Sequence, residues 1–199
     1  MKKILEIISS ARGSASNSTQ LTNTIIEKLK AQYPGSTVTQ RDLVQKKYPH
    51  LEESHLTAFF ALPENESEAY KTAIQHSNEA IAELEAADII VIGVPIYNFH
   101  IPSALKAWID HVVRAGKTFS YGNGQPEGLL KNKKVYLAIA SGGVYSEGPM
   151  KAMDFAEPYL KWIFGFIGVH DVTTFRVEGV SSPALRETAL QKGQESVVV

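Results

Sequence analysis

The chain has 199 residues, 44% of them apolar, enough to bury a sizeable core within one domain. Twenty basic and 21 acidic side chains leave a formal charge of −1, so electrostatics draws the chain neither to nucleic acid nor to an anionic membrane. The absence of cysteine excludes disulfides, thiol catalysis and iron–sulfur ligation, and suits a reducing compartment.

The first apolar run contains Glu6 and ends at Ile8, too short for an export signal, and no stretch approaches the roughly 20 apolar residues that span a bilayer. The expectation is a soluble, cytoplasmic protein. Residues 4–8 read as a strand covered on both faces. Leu21, Ile25 and Leu29 then recur at helical spacing until Tyr33-Pro34-Gly35 stops the helix. Residues 37–43 alternate as a second strand, and residues 46–64, polar and without a period, read as an irregular excursion. Tyr70, Ala73, Ile74, Ser77, Ile81 and Leu84 mark one face of a helix that leads through Asp88 into the buried strand IIVIGV.

After Val94, Pro102 suits a first helical turn, and Leu105, Trp108, Ile109, Val112 and Val113 form an apolar stripe. Lys106, Asp110 and Arg114 sit at i, i+4 spacing and read as a solvated ladder. Turn signals at Gly122-Asn123-Gly124 and Pro126 predict a loop or small hairpin over residues 119–130. VYLAIA is a further buried strand. Phe155, Tyr159, Trp162, Ile163 and Phe166 mark a helix, and residues 171–177 form a last strand.

Strands alternating with helices imply an α/β fold, a doubly wound five-stranded parallel sheet with helices on both faces, because parallel neighbours need right-handed crossovers. A flavodoxin-like order, 2-1-3-4-5, puts the ligand crevice beyond the carboxyl ends of the first, third and fourth strands. The loops leaving those ends are SSARGSASNS, PIYNFHIP and SGGVYSEGP.

Ser10, Ser16, Asn17 and Ser18 crowd the start of the first helix, where unpaired N–H groups and the helix dipole attract a phosphate. One such residue would suffice for an ordinary helix cap, which is the competing reading. No G-x-x-x-x-G-K-[ST] or G-x-G-x-x-G pattern is present, so a mononucleotide fits better than a triphosphate or a dinucleotide. Pro95, Ile96, Tyr97, Asn98 and Phe99 offer backbone groups and two aromatic rings to a flat heterocycle, or else pack as ordinary loop residues. Ser141, Gly142 and Gly143 let backbone approach a ligand closely, or form a turn. The six histidines follow no ligand spacing, so no metal site is expected, and no nucleophile elbow is present.

Taken together, Ser9-Ser10 with Ser16-Asn17-Ser18, Pro95-Ile96-Tyr97-Asn98-Phe99 with Ile101-Pro102 and Leu105-Lys106, Arg114-Ala115-Gly116 with Thr118-Phe119, Pro126-Glu127-Gly128-Leu129 and Gly165-Phe166-Ile167-Gly168 carry a family pattern. The chain resembles the FMN-dependent NADH-azoreductases, flavodoxin-like NAD(P)H:quinone reductases, over about residues 3–179. The resemblance implies one FMN per subunit of a homodimer, with NADH as donor and quinones and azo compounds as acceptors. It implies two-electron reduction of quinones, and cleavage of aromatic azo compounds to amines, by a ping-pong hydride cycle through flavin N5. No catalytic acid or base of the chain is then required. By resemblance, Ser10 and Ser16 to Ser18 hold the FMN phosphate, Ile96 to Phe99 line the isoalloxazine with Pro95 beside them among the cofactor-binding residues, and Ser141, Gly142, Gly143 and Val144 meet its polar edge. That last loop is one residue shorter than the Ser-x-Gly-Gly of many members. Phe119 and Tyr121 fall where members cover the substrate. A flavodoxin-like FMN electron carrier and a nucleotide-sensing module are the rival readings, and the near-neutral charge argues against the acidic docking face of a carrier.

Overall fold

In a computed structural model that describes residues 1–61, 67–122 and 124–199, a five-stranded sheet is covered by helices on both faces. Its strands are β1 (Lys3–Ile8), β2 (Thr37–Asp42), β3 (Ile89–Pro95), β6 (Lys134–Ala140) and β7 (Asp171–Val177). They run parallel in the order β2-β1-β3-β6-β7, which is the expected 2-1-3-4-5. The helices are α1 (Asn17–Gln32), α2 (Glu53–Phe60), α3 (Glu68–Ala86), α4 (Ser103–Val112), α5 (Ala156–Phe166) and α6 (Arg186–Glu195). A short antiparallel hairpin, β4 (Phe119–Ser120) with β5 (Glu127–Gly128), fulfils the turn signals between them. Asn123 of that turn, and residues 62–64 of the expected excursion, lie outside the described residues.

Successive strand residues point to opposite faces, and both faces are dry. Leu5, Ile7, Ile90, Ile92, Val135 and Leu137 pack against α3, α4 and α5. Ile4, Ile89, Val91, Tyr136 and Phe175 pack instead against α1 and α6. This two-sided burial explains why the inner strands read as unbroken apolar runs rather than alternating ones. Among the described residues no helix is long and apolar enough to cross a membrane.

Three expectations need correction. Residues 46–64 are not wholly irregular, because α2 forms there; the Glu52 N–H donates to His55 Nδ1 at 3.0 Å, and only His55 and Ala58 of α2 are buried. So small a buried face leaves no period to read. Arg114 does not continue the Lys106–Asp110 ladder, whose ends meet at 2.5 Å. It follows the end of α4, is buried, and donates to Asn78 Oδ1 at 2.8 Å and Ser77 Oγ at 3.2 Å, with its guanidinium 5.1 Å from the Phe59 ring centre. Of the apolar residues that mark the fifth helix, Trp162 is exposed and Phe155 lies exposed just before α5, because Ala156, Leu160, Ile163 and Phe164 fill the inner side.

Candidate functional site

The carboxyl ends of β1, β3 and β6 are neighbours in the sheet, so the loops leaving them meet above it. Ser9 Oγ donates to the Gly93 carbonyl of β3 at 2.7 Å, and Ser10 Oγ lies 3.3 Å from the Tyr97 hydroxyl. The Ile96 N–H donates to the Ala140 carbonyl at 2.8 Å, and the Phe99 and Tyr145 rings meet edge to face at 6.1 Å. Beside Tyr97 a cleft of about 300 Å³ opens between Ser9, Ala11, Leu43 and Ser103.

In the first loop, Ser16 is the residue that precedes α1, but its side chain makes no capping bond. Its Oγ instead pairs with Ser18 Oγ at 3.0 Å, both side chains being buried. The N–H groups of Asn17, Ser18 and Thr19 find no acceptor among the described residues, the first helical pairing being Gln20 N–H to the Ser16 carbonyl. Thr19 Oγ1 is also buried without a partner. With no acidic residue in the first turn to oppose the helix dipole, these donors form a set suited to an anion. Thr19 escaped the sequence reading, since nothing local separates it from any other threonine in a first turn.

In the second loop, Tyr97 and His100 exchange backbone hydrogen bonds at 3.0 and 3.1 Å around a tight turn. Both central residues are left-handed, Asn98 at φ 49° and Phe99 at φ 66°. Asn tolerates that conformation, but Phe at positive φ is a strained backbone of the kind that collects at functional sites, costing of order 1 kcal/mol or more. Tyr97, Asn98 and Phe99 are exposed, while Pro95 is buried and Ile96 half-buried. The large exposed rings are therefore presented by the fold rather than absorbed into it.

The third loop starts at Ser141, buried, whose Oγ donates to the Gly143 carbonyl at 2.8 Å. The N–H groups of Gly142, Gly143 and Val144 find no acceptor among the described residues. Phe119 and Tyr121 touch each other, and Phe119 packs on Phe166, which stacks on Trp162. Their aromatic contacts thus run to α5 and not to the three loops. Three of the six histidines gather elsewhere: the rings of His55 and His76 lie 5.3 and 6.3 Å from that of His111, whose Nε2–H donates to the Pro49 carbonyl at 2.9 Å. Burial holds the His111 imidazole below its ordinary value. Among the described residues no group of three or more metal-ligating side chains is arranged to hold a metal ion.

Residues 2–198 match the family model described as "Flavodoxin-like fold". A curated relative from Beijerinckia indica, named FMN-dependent NADH:quinone oxidoreductase, is 44% identical and is aligned over 99% of this chain and 98% of its own. One of the same name from Herminiimonas arsenicoxydans is 50% identical over 92% of this chain and 90% of its own. The chain belongs to this flavodoxin-like oxidoreductase family. Among solved structures, an azoreductase from Bacillus anthracis str. Sterne superposes with a TM-score of 0.90 at 31% identity, covering 98% of this chain and 96% of that one. The fold and family expected from the motifs stand.

Proposed function

We propose that the protein is an FMN-dependent NADH:quinone oxidoreductase that also cleaves aromatic azo compounds, working as a cytoplasmic homodimer of a single flavodoxin-like domain. The observation that carries this reading is the set of unpaired donors on the first and third loops, with exposed Tyr97 and Phe99 between them. Bound FMN supplies hydride chemistry: NADH, a proton and a quinone give NAD⁺ and a hydroquinone, and an azo bond consumes two NADH and two protons to give two amines.

The chain's share is placement. Ser10, the Ser16–Ser18 hydroxyls, Thr19 Oγ1 and the first N–H groups of α1 hold the phosphate, and the neutral nest leaves the dianion to be balanced by the helix dipole. Pro95, Ile96, Tyr97, Asn98 and Phe99 bed the isoalloxazine, the left-handed turn leaving the Phe99 ring exposed. Ser141 to Val144 bring N–H donors to the polar edge, where negative charge grows on reduction. Among the described residues, the Trp162–Phe166–Phe119–Tyr121 ladder, with Trp162 65% exposed, supports a subunit interface through α5 that brings Phe119 and Tyr121 toward substrate.

The test is the visible spectrum of protein reconstituted with FMN, recorded without oxygen before and after NADH. Rapid bleaching, followed by reoxidation with a quinone, is expected. Flavin that binds yet stays oxidised with either pyridine nucleotide would hand the protein to the carrier or sensor reading. Sedimentation should give a dimer, and Trp162→Glu a monomer; a monomeric wild type at working concentration would remove the interface.

A further inference from the structure

We infer that Glu178, held by Arg176, is a positioning residue that turns the N–H groups of Gly142, Gly143 and Val144 away from the strip after β7, as donors for the polar edge of bound flavin. The inference rests on the flavin reading of that loop. The strip just after β7 runs alongside the loop. The Val180, Ser181 and Gly179 N–H groups donate to the carbonyls of Ser141, Gly142 and Gly143 at 3.3, 3.0 and 3.1 Å. In a planar trans peptide the C=O and the following N–H point in opposite directions. Three carbonyls turned toward the strip therefore turn the N–H groups of Gly142, Gly143 and Val144 away from it, and these are the three without an acceptor. The two segments approach closely here: a Cβ on Gly142 would stand 2.7 Å from Ser181 Oγ, which would have to rotate away.

The run of outward donors stops at Tyr145, and Glu178 stops it. Its Oε1 accepts the Tyr145 and Ser146 N–H groups at 2.8 and 3.0 Å, and its Oε2 accepts the Ser146 hydroxyl at 2.5 Å. The chain is thereby folded back, and the Tyr145 ring is set edge to face against Phe99. Arg176, with its side chain only 12% exposed, holds the latch: Nη1 donates to Glu178 Oε1 at 3.1 Å while Nη2 binds Asp154 and Glu157 at the start of α5. One guanidinium thus ties the loop to both β7 and α5. A carboxylate is needed because two backbone donors, one hydroxyl and the guanidinium converge on it.

The loop's donors stabilise charge that grows on the flavin's polar edge, so the latch should be read in the potential of the bound flavin more than in the fold. Glu178→Leu removes every acceptor, and Glu178→Gln keeps a carbonyl oxygen for Tyr145 and Ser146 while losing the charge. The experiment measures the FMN dissociation constant and the midpoint potential of bound FMN for the wild type, both variants and Ser18→Ala. Amide exchange at Tyr145 and Ser146 is measured in each protein without flavin. Glu178→Leu should weaken FMN about tenfold or more, move the potential to a more negative value and release both amides to fast exchange, with Glu178→Gln between it and the wild type. Ser18→Ala should weaken FMN while leaving the potential and both amides unmoved. A wild-type potential in Glu178→Leu, or protected amides there, overturns the latch; should Glu178→Leu not fold, wild-type values in Glu178→Gln do so. A wild type that binds no FMN would instead overturn the proposed function, with the amide exchange still deciding the latch.

Discussion

Replacing Ser16 and Ser18 together with alanine isolates what these hydroxyls do. They sit 3.0 Å apart, 2% and 0% exposed, so each satisfies the other in the free protein. Removing one orphans its partner in a buried site, at about 1–3 kcal/mol, whereas removing both leaves no unpaired group and costs folding little. Each single variant should therefore melt lower than the double variant, a reversal that only mutual pairing produces. Toward FMN the order is different. A hydroxyl bonded to a charged group contributes about 1.5–3 kcal/mol, so losing two costs about 3 kcal/mol or more, on the order of a hundredfold in the dissociation constant. Flavin fluorescence quenching gives that constant directly, and riboflavin, which lacks the phosphate, is the control. The double variant should bind riboflavin within about threefold of the wild type, since 0.6 kcal/mol is roughly the noise of such comparisons. Unchanged FMN affinity, or an equal loss for riboflavin, would refute the phosphate nest and return Ser16 and Ser18 to packing.

Gly128→Ala should be insoluble or lose several kcal/mol, because its Cβ would stand 2.1 Å from the Gly168 nitrogen, a backbone atom that cannot swing aside. Soluble expression with a near-normal melting temperature would contradict the close packing of the hairpin on the turn after α5. His111 is held below its ordinary value of 6.5 by burial, against the Pro49 hydrogen bond that raises it. The unfolded chain therefore takes up that proton first, and stability should fall as pH drops below about 6.5. Urea midpoints at pH 8 and 5.5 should drop further in the wild type than in His111→Gln, and equal drops would remove the effect. Burial pushes the Glu157 carboxyl up, but hydrogen bonds from Lys161 and Arg176 overcome it and hold the group at about 2, below its ordinary 4.5. The depressed value places its stabilisation, up to roughly 3 kcal/mol, above pH 4.5 and removes it as pH falls toward 2. Acid unfolding of Glu157→Gln should lack that slope; a curve parallel to the wild type would show that the pair contributes nothing.

Much of the architecture was legible because the fold repeats local patterns. A strand buried on both faces reads as a short apolar run, as in IIVIGV and VYLAIA, and each inner strand is followed by a helix with its own stripe. Right-handed crossovers then leave few ways to order five strands, and any of them near the flavodoxin order brings the first, third and fourth loops together. The meeting place of the three loops could thus be located from the sequence, and a run of serines before a helix marked where an anion is proposed to bind. What stayed hidden was whatever depends on a partner distant in the chain. The helix α2 buries two residues and α6 buries Ala189 and Gly193, so neither shows a period. Arg114 looks like one more surface charge until α3 places Ser77 and Asn78 beside it, 37 and 36 residues back. Glu178 looks like any strand-end acid until β7 sets it against the amides of Tyr145 and Ser146. The residue types and spacing determined which groups this protein brings to its crevice. Only tertiary packing decided which of their donors stay paired and which are left facing out, because a hydrogen bond between distant residues leaves no mark on the local pattern of either.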